Sequence, residues 1–377
     1  MPTVPHADPR RRPRRRAALL STLLFGLALL AGPAGAETPR VHVYNWYDYI
    51  GPEVVAAFEA ETGIEVVYDV FDAAEVLETK LLTGHTGYDV VVPSTSNAPQ
   101  LMAAGALQPV DPARLANYGN LDPEILARLD RLPGGRTLGV PYTWVTIGVS
   151  YNVDLVEARL DALPDNALDL IFDSAHTARL KDCGIAILDA PRDVLGLALI
   201  YLGLDPYSGA AEDLAQAEAL LAKVRGDILH FGSGRIISDL ANGDICAAIT
   251  WNGDAGIASL RAEEAGRDTH LVYRIPTSGS LMIVDLMAIA ADAPHVEAAY
   301  TFLDYMLRPE VIAETTNFLY FANANRAALP HVLDEIKADP DIYPPPAIMD
   351  RLVPDLPLSQ DVLRARSRLW TRVKSGL

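Results

Sequence analysis

The sequence predicts an α/β protein of two lobes with a ligand cleft between them. Three observations lead there. Strand and helix patterns alternate in two successive blocks, no low-complexity linker separates the blocks, and aromatic and acidic residues gather just past the ends of the apolar strands. Alternating strands and helices imply parallel pairing, and in such open sheets ligands bind in the crevice beyond the carboxyl ends of the strands.

Six arginines (Arg10, Arg11, Arg12, Arg14, Arg15 and Arg16) precede an apolar run from Ala17 to Leu30 and the small-residue stretch Ala34-Gly35-Ala36. This is the order of parts of a secretory signal peptide over 1–36, with cleavage near Ala36. The apolar run is shorter than the roughly 20 residues a permanent membrane span needs. A lipid anchor needs a cysteine just past the cleavage point, where Glu37 and Thr38 stand instead. The exported chain is therefore expected to be free in the periplasm, by either the general or the twin-arginine route.

Beyond the leader the chain is long enough for two domains at roughly 150 residues each, and half of the whole chain is hydrophobic. The net charge is −18, and the leader removes arginines, so the exported part is more acidic still. That excludes nucleic acid as a partner and favours small cations. Cys183 and Cys246 are the only cysteines. In an oxidising compartment they are expected to form a structural disulfide.

Along the chain, Val41, Val43 and Asn45 alternate with His42, Tyr44 and Trp46 as a strand. Pro52 opens a helix that Gly63 closes. Ile64–Tyr68 reads as a strand, Glu75–Leu82 as a helix stopped by Gly84, and Asp89–Val92 as a buried strand. Val145–Ser150 resumes the pattern. Helices come next over Asp213–Val224 and Ser233–Leu240, with a strand over Ile245–Thr250 that ends on Trp251. Met282–Ile289 is another apolar strand, Pro294 opens a helix running past Leu303, and Tyr343-Pro344-Pro345-Pro346 reads as an extended surface segment.

Trp46-Tyr47-Asp48 and Trp251-Asn252-Gly253-Asp254 each set an indole beside a carboxylate at a strand end. An indole face attracts a cation by roughly 0.5–2 kcal/mol, and a charge-assisted hydrogen bond adds roughly 1.5–3 kcal/mol. Two such pairs suit a ligand with an ammonium at each end. Each motif equally fits a core tryptophan followed by an aspartate that caps or turns the chain. Asp285, inside the apolar Met282–Met287 run, must face solvent, a partner or a ligand, since an unpaired buried charge costs several kcal/mol. Asp89 shares that ambiguity. Ser94 and Ser96 are either helix caps or ligand donors. The histidines lack metal-site spacing, and no nucleophile elbow, phosphate loop or dinucleotide fingerprint is present.

These residues resemble the periplasmic putrescine- and spermidine-binding components of bacterial ABC transporters. The similarity runs through Tyr44-Asn45-Trp46 and Asp48-Tyr49-Ile50, then Tyr68-Asp69-Val70-Phe71-Asp72, Glu75-Val76-Leu77-Glu78 and Val91-Val92-Pro93-Ser94. It continues through Leu188-Asp189-Ala190-Pro191, the stretch from Asp239 to Cys246, Trp251 to Asp254, the stretch from Tyr320 to Asn325, and Ile342-Tyr343-Pro344-Pro345.

The resemblance implies a two-lobed class II periplasmic binding protein fold closing on its ligand, with no enzymatic activity and no cofactor. Lobe 1 is expected over 37–142 and 267–308, lobe 2 over 143–266, and 309–377 as a C-terminal segment packing mainly on lobe 2. Residues matching Trp46 and Trp251 stack on the methylene chain and ammonium groups, and those matching Asp254 and Asp285 bind one ammonium. Asp48 and Asp193 serve the other end, Ser94 and Ser233 form polar wall, and Tyr47 and Phe321 complete the site. Cys183 and Cys246 fall where the putrescine binders keep a disulfide. The implied ligand is a polyamine, putrescine first and spermidine second, and the implied partner is an inner-membrane ABC permease fed by a monomer.

The sequence departs from the family in the pocket. Tyr47 replaces a serine, Asn97 an aromatic, Arg192-Asp193 two glutamates, Arg235 a glutamine, Ile283 a phenylalanine and Phe321 a tyrosine. The polyamine's identity is left open by these changes. Two other readings are a polyamine sensor of the same fold and an exported hydrolase using Asp254 and Asp285 as acid and base.

Overall fold

A computed structural model describes residues 38–376. The expected signal peptide lies outside the described residues. Among these, twelve strands join in one sheet. In chain order they are β1 (Arg40–Trp46), β2 (Glu65–Phe71), β3 (Val90–Val91), β4 (Leu107–Gln108), β5 (Val140–Asn152), β6 (Ile185–Ile187), β7 (His230–Phe231), β8 (Ala247–Trp251), β9 (Leu271–Arg274), β10 (Ser280–Ala290), β11 (Ala322–Asn323) and β12 (Leu352–Pro354).

The first lobe forms as the alternation predicts. β1 pairs in parallel with β2 on one side and β3 on the other. The connecting helix Pro52–Thr62 begins with proline, whose fixed φ suits a first helical turn, and ends at Gly63 with φ 68°. Its Val54 and Phe58 are buried, and Phe58 meets Phe302 edge to face at 5.2 Å.

Two long strands tie the lobes together. β5 and β10 are buried at every position, as expected where both faces of a sheet are covered. They run antiparallel, with Met282 opposite Thr146 and Met287 opposite Val140. The far end of β10 joins the first lobe through β3 and β4. The far end of β5 carries the second lobe, pairing with β8 and β9, while β6 links β8 to β7 in parallel. The Met282–Ile289 strand is thus longer than its sequence pattern and antiparallel to β3, β4 and β5.

Other stretches settle differently from their local pattern. Leu271–Arg274, in the stretch expected to have returned to lobe 1, pairs with the second-lobe end of β5. The 309–377 segment divides. Its helix Pro309–Leu319 packs on Pro52–Thr62 of the first lobe, and its helix Gln360–Ser375 packs on Pro191–Tyr201 and Ala211–Val224 of the second. Both are amphipathic, and each buries its stripe on the surface the chain path brings nearest. The helix expected from Ser233 begins at Ile236, because Gly232 and Gly234 are poor helix formers, and Ser233 sits in the preceding loop. In the proline-rich stretch Tyr343 is half-buried, and Pro346 opens a short helix to Met349.

Cys183 and Cys246 are bonded, tying the turn before β6 to the residue before β8. No described helix is long and apolar enough to cross a membrane.

Candidate functional site

A bulge in β5 lies against the first element of the site, Asp285 of β10. The β5–β10 register shifts between Val284 and Leu286, where Tyr142 and Thr143 of β5 stand against the single residue Asp285 of β10, so the extra residue of the bulge is in β5. An isolated bridge sets Ser94 opposite Asp285. Ser94 Oγ donates to Asp285 Oδ1 at 2.5 Å and the Tyr49 hydroxyl donates to Oδ2 at 2.6 Å. Burial raises the Asp285 carboxyl to about 6, against the lowering effect of those two hydrogen bonds.

Tyr49 is a site residue the sequence reading did not single out. Burial, reinforced by Asp285, holds its phenol far above the usual range, so it keeps its proton and remains a donor. Thr143 Oγ1 donates to its oxygen at 2.9 Å, and the Tyr142 hydroxyl fixes its carbonyl at 2.6 Å. Its ring stands 5.7 Å from that of Phe321. The signal lay in the Asp48-Tyr49-Ile50 motif, but which of its residues turns inward depends on the turn after β1.

Phe321 carries the site across to the second lobe. A Cβ on Gly253 would overlap Phe321 Cε1, so only glycine lets the ring lie against the Trp251–Asp254 turn. Asp254 then opens the helix Asp254–Glu264, where the helix dipole favours a negative charge. Its Oδ2 accepts the Trp251 backbone N–H at 3.2 Å. Burial nevertheless raises its carboxyl to about 7. Trp251 Nε1 donates to Asp193 Oδ2 at 3.3 Å. Burial, with the Asp355 charge adding, raises Asp193 to about 7 as well. Asp285, Tyr49, Phe321, Gly253, Asp254, Trp251 and Asp193 therefore form one continuous wall spanning both lobes.

The remaining expected residues have other neighbours. Trp46 is half-buried and stacks at a tilt on Phe71 with centroids 4.5 Å apart. Its indole nitrogen is buried without a partner. Tyr47 is 66% exposed. Asp48 is exposed with φ 51°, and its charge, after burial, helps raise the Tyr68 phenol. Ser233 is half-buried and Ser96 buried. Asp89 has a structural role, accepting the backbone N–H groups of His42 and His295 at 2.8 and 2.6 Å and facing His295 Nδ1 at 3.0 Å.

A second residue missed in the sequence is Asp355, buried to 3% exposure and paired with Arg192, whose Nε donates at 3.2 Å. A lone acid within Leu352-Val353-Pro354-Asp355-Leu356 was the available signal. Among the described residues no cluster of histidine, cysteine and carboxylates could hold a metal ion.

Buried carboxylates and aromatics from both lobes thus meet in one chain of contacts. Residues 53–344 match the family described as bacterial extracellular solute-binding protein. The chain belongs to that family. Its relatives include the putrescine-binding periplasmic protein PotF of Escherichia coli, 45% identical over 95% of this chain and 98% of that protein. A putrescine/agmatine-binding protein of Pseudomonas aeruginosa is 43% identical over 96% of this chain and 98% of its own. Among solved structures, a spermidine/putrescine ABC transporter substrate-binding protein from Streptococcus pneumoniae matches with a TM-score of 0.77 at 27% identity, over 90% of this chain and 99% of that one. The two-lobed α/β solute-binding fold expected from the sequence is thereby established. So is its membership of a family of binding proteins and not of enzymes.

Proposed function

We propose that this solute-binding protein captures a polyamine, putrescine foremost, between its lobes and delivers it to an inner-membrane ABC permease. The observation that carries the reading is the state of Asp254 and Asp285. Both are at least 94% buried, and their partners are a backbone N–H and two hydroxyls, none of them a cation. Two buried carboxylates without a counter-charge destabilise the empty protein, and a dication relieves both. The relatives named for putrescine and for putrescine/agmatine support the same ligand class.

In this reading Trp46 and Trp251 flank the methylene chain, and Asp254 and Asp285 hold one ammonium. Asp193 and Asp48 serve the other end, Ser94 and Ser233 supply polar wall, and Tyr47 and Phe321 close the sides. Ligand binds the closed arrangement more tightly than the open one and shifts the population toward it. The chain acts as a monomer in the periplasm after cleavage near Ala36.

Isothermal titration of the refolded, ligand-stripped protein with putrescine, cadaverine, spermidine, spermine and agmatine tests this. Putrescine is expected to bind with a Kd of about 1 μM or tighter. Asp254→Asn should weaken it by about tenfold or more, since one ammonium loses its charged partner. Silence for all five amines would sink the proposal.

A further inference from the structure

Arg192 is a cation set among the acids of the binding wall. It opens the helix Pro191–Tyr201 directly before Asp193. Its Nε donates to Asp355 Oδ1 at 3.2 Å and its Nη2 to the Leu356 carbonyl at 2.6 Å. Its side chain is 22% exposed and that of Asp355 only 3%. Asp355 is fixed in turn by β12, which lies beside β10 with Pro354 opposite Met282. The Asp355 backbone N–H donates to the Met282 carbonyl at 2.9 Å. The pair therefore stands beside the stretch of β10 that leads through Ile283 to Asp285.

From that position the pair reaches the rest of the site. The Asp355 charge adds to burial in raising both Asp193 and Asp285, while Arg192 acts on Asp193 in the opposite direction. Across the cleft, on the first-lobe helix Ala74–Thr83, the Glu78 carboxyl is raised by burial and lowered by Arg192. The guanidinium is thus bonded to Asp355, stands directly before Asp193 on the same helix, and acts to lower the carboxyls of Asp193 and Glu78. Acids gathered near one cation are what an ammonium group requires, and here the protein's own cation is already bonded there.

We propose that Arg192, pinned by Asp355, is a selectivity element: a resident cation that fills the place a third ammonium would take, so that the cleft accepts a diamine and rejects a triamine. Discrimination of this kind comes from a repulsive element built against the competitor. A spermidine seated with two ammoniums on Asp254, Asp285 and Asp193 would carry its third toward a fixed guanidinium, whose carboxylate partner is already engaged. This inference rests on the polyamine-binding reading above.

Titration of the ligand-stripped wild type, Arg192→Gln, and the double variant Arg192→Met/Asp355→Leu with putrescine and with spermidine tests it. The wild type is expected to prefer putrescine by about thirtyfold or more. Arg192→Gln removes the resident cation and frees Asp355, so the spermidine-to-putrescine affinity ratio should rise by about tenfold or more. The double variant removes both members of the pair together and carries the test should the single one fail to fold. Its spermidine-to-putrescine affinity ratio is expected to rise by about threefold or more, less than in the single variant because the freed carboxylate is gone. A folded variant that binds putrescine but shows no rise in that ratio overturns the inference and leaves the polyamine reading standing. Wild type that binds neither amine overturns both.

Discussion

The Tyr49 hydroxyl donates to Asp285 Oδ2 at 2.6 Å, so a phenol from the turn after β1 holds a carboxylate that β10 presents opposite the bulge of β5. With Ser94 on the other oxygen, each oxygen of Asp285 accepts from a neutral donor. The carboxylate is oriented before any ligand arrives, and its charge remains uncompensated.

Tyr49→Phe removes one of the two hydrogen bonds that offset burial at Asp285. The carboxyl should then titrate above its present value of about 6. Putrescine binding at pH 7 is expected to weaken by about tenfold, with most of the loss recovered at about pH 8.5. Calorimetric titration at the two pH values checks this, and an equal loss at both would mean that Tyr49 acts by shape alone.

The three buried carboxyls give ligand binding and stability opposite pH dependences. Asp193 and Asp254 titrate at about 7 and Asp285 at about 6, all raised by burial. The empty native state therefore binds more protons than the unfolded chain between those values and the unfolded carboxylate range near 4. Its stability should fall as pH rises from about 4 to 8, because each group must ionise while buried. Ammonium ligands need the ionised form, so putrescine affinity should rise over about pH 6 to 8. Thermal unfolding of the ligand-free protein and titration calorimetry across that range measure the two trends, and parallel slopes would contradict this account.

Gly253→Ala would drive a methyl into Phe321 Cε1 and set it 2.7 Å from the Leu319 carbonyl oxygen. Relief requires moving both the ring and the backbone, separating Phe321 from Tyr49. The expected result is a loss of about 1–3 kcal/mol in stability and at least about tenfold in putrescine affinity. Trimming the ring with Phe321→Leu in the same chain should restore stability only in part, since the backbone clash persists. Full restoration would place the whole conflict in the ring.

Reducing the Cys183–Cys246 bond should lower stability without altering the ligand site. The bond spans a sequence separation of 63, for which loop-closure entropy gives on the order of 4 kcal/mol. Cys246 precedes β8 while Trp251 ends it, putting roughly 16 Å of strand between the bond and the indole. A Cys183→Ser/Cys246→Ser variant is expected to melt at lower temperature and to bind putrescine within about twofold of wild type. A large affinity loss in the folded variant would show that the second lobe's site depends on this bond.

Elements whose information is local were legible in the sequence. Pro52 and Gly63 bracket a helix because proline's φ and glycine's access to positive φ act within a single turn. The first three strands came from the alternation, since βαβ connections leave few other pairings. The residue types of the site were legible too: both indole–carboxylate pairs stand at strand ends, and Asp285 is conspicuous in an apolar run. What those residues meet was set by the packed chain instead. Asp285 meets Tyr49 and Ser94 opposite a bulge in β5, a strand far away in sequence. Phe321 reaches the second lobe because Gly253 lets it approach. Asp355 joins Arg192 because the C-terminal segment lays β12 beside β10. Periodicity reports which face of an element is apolar, but burial, partner and charge state belong to contacts between distant segments, and those contacts exist only once the chain has closed.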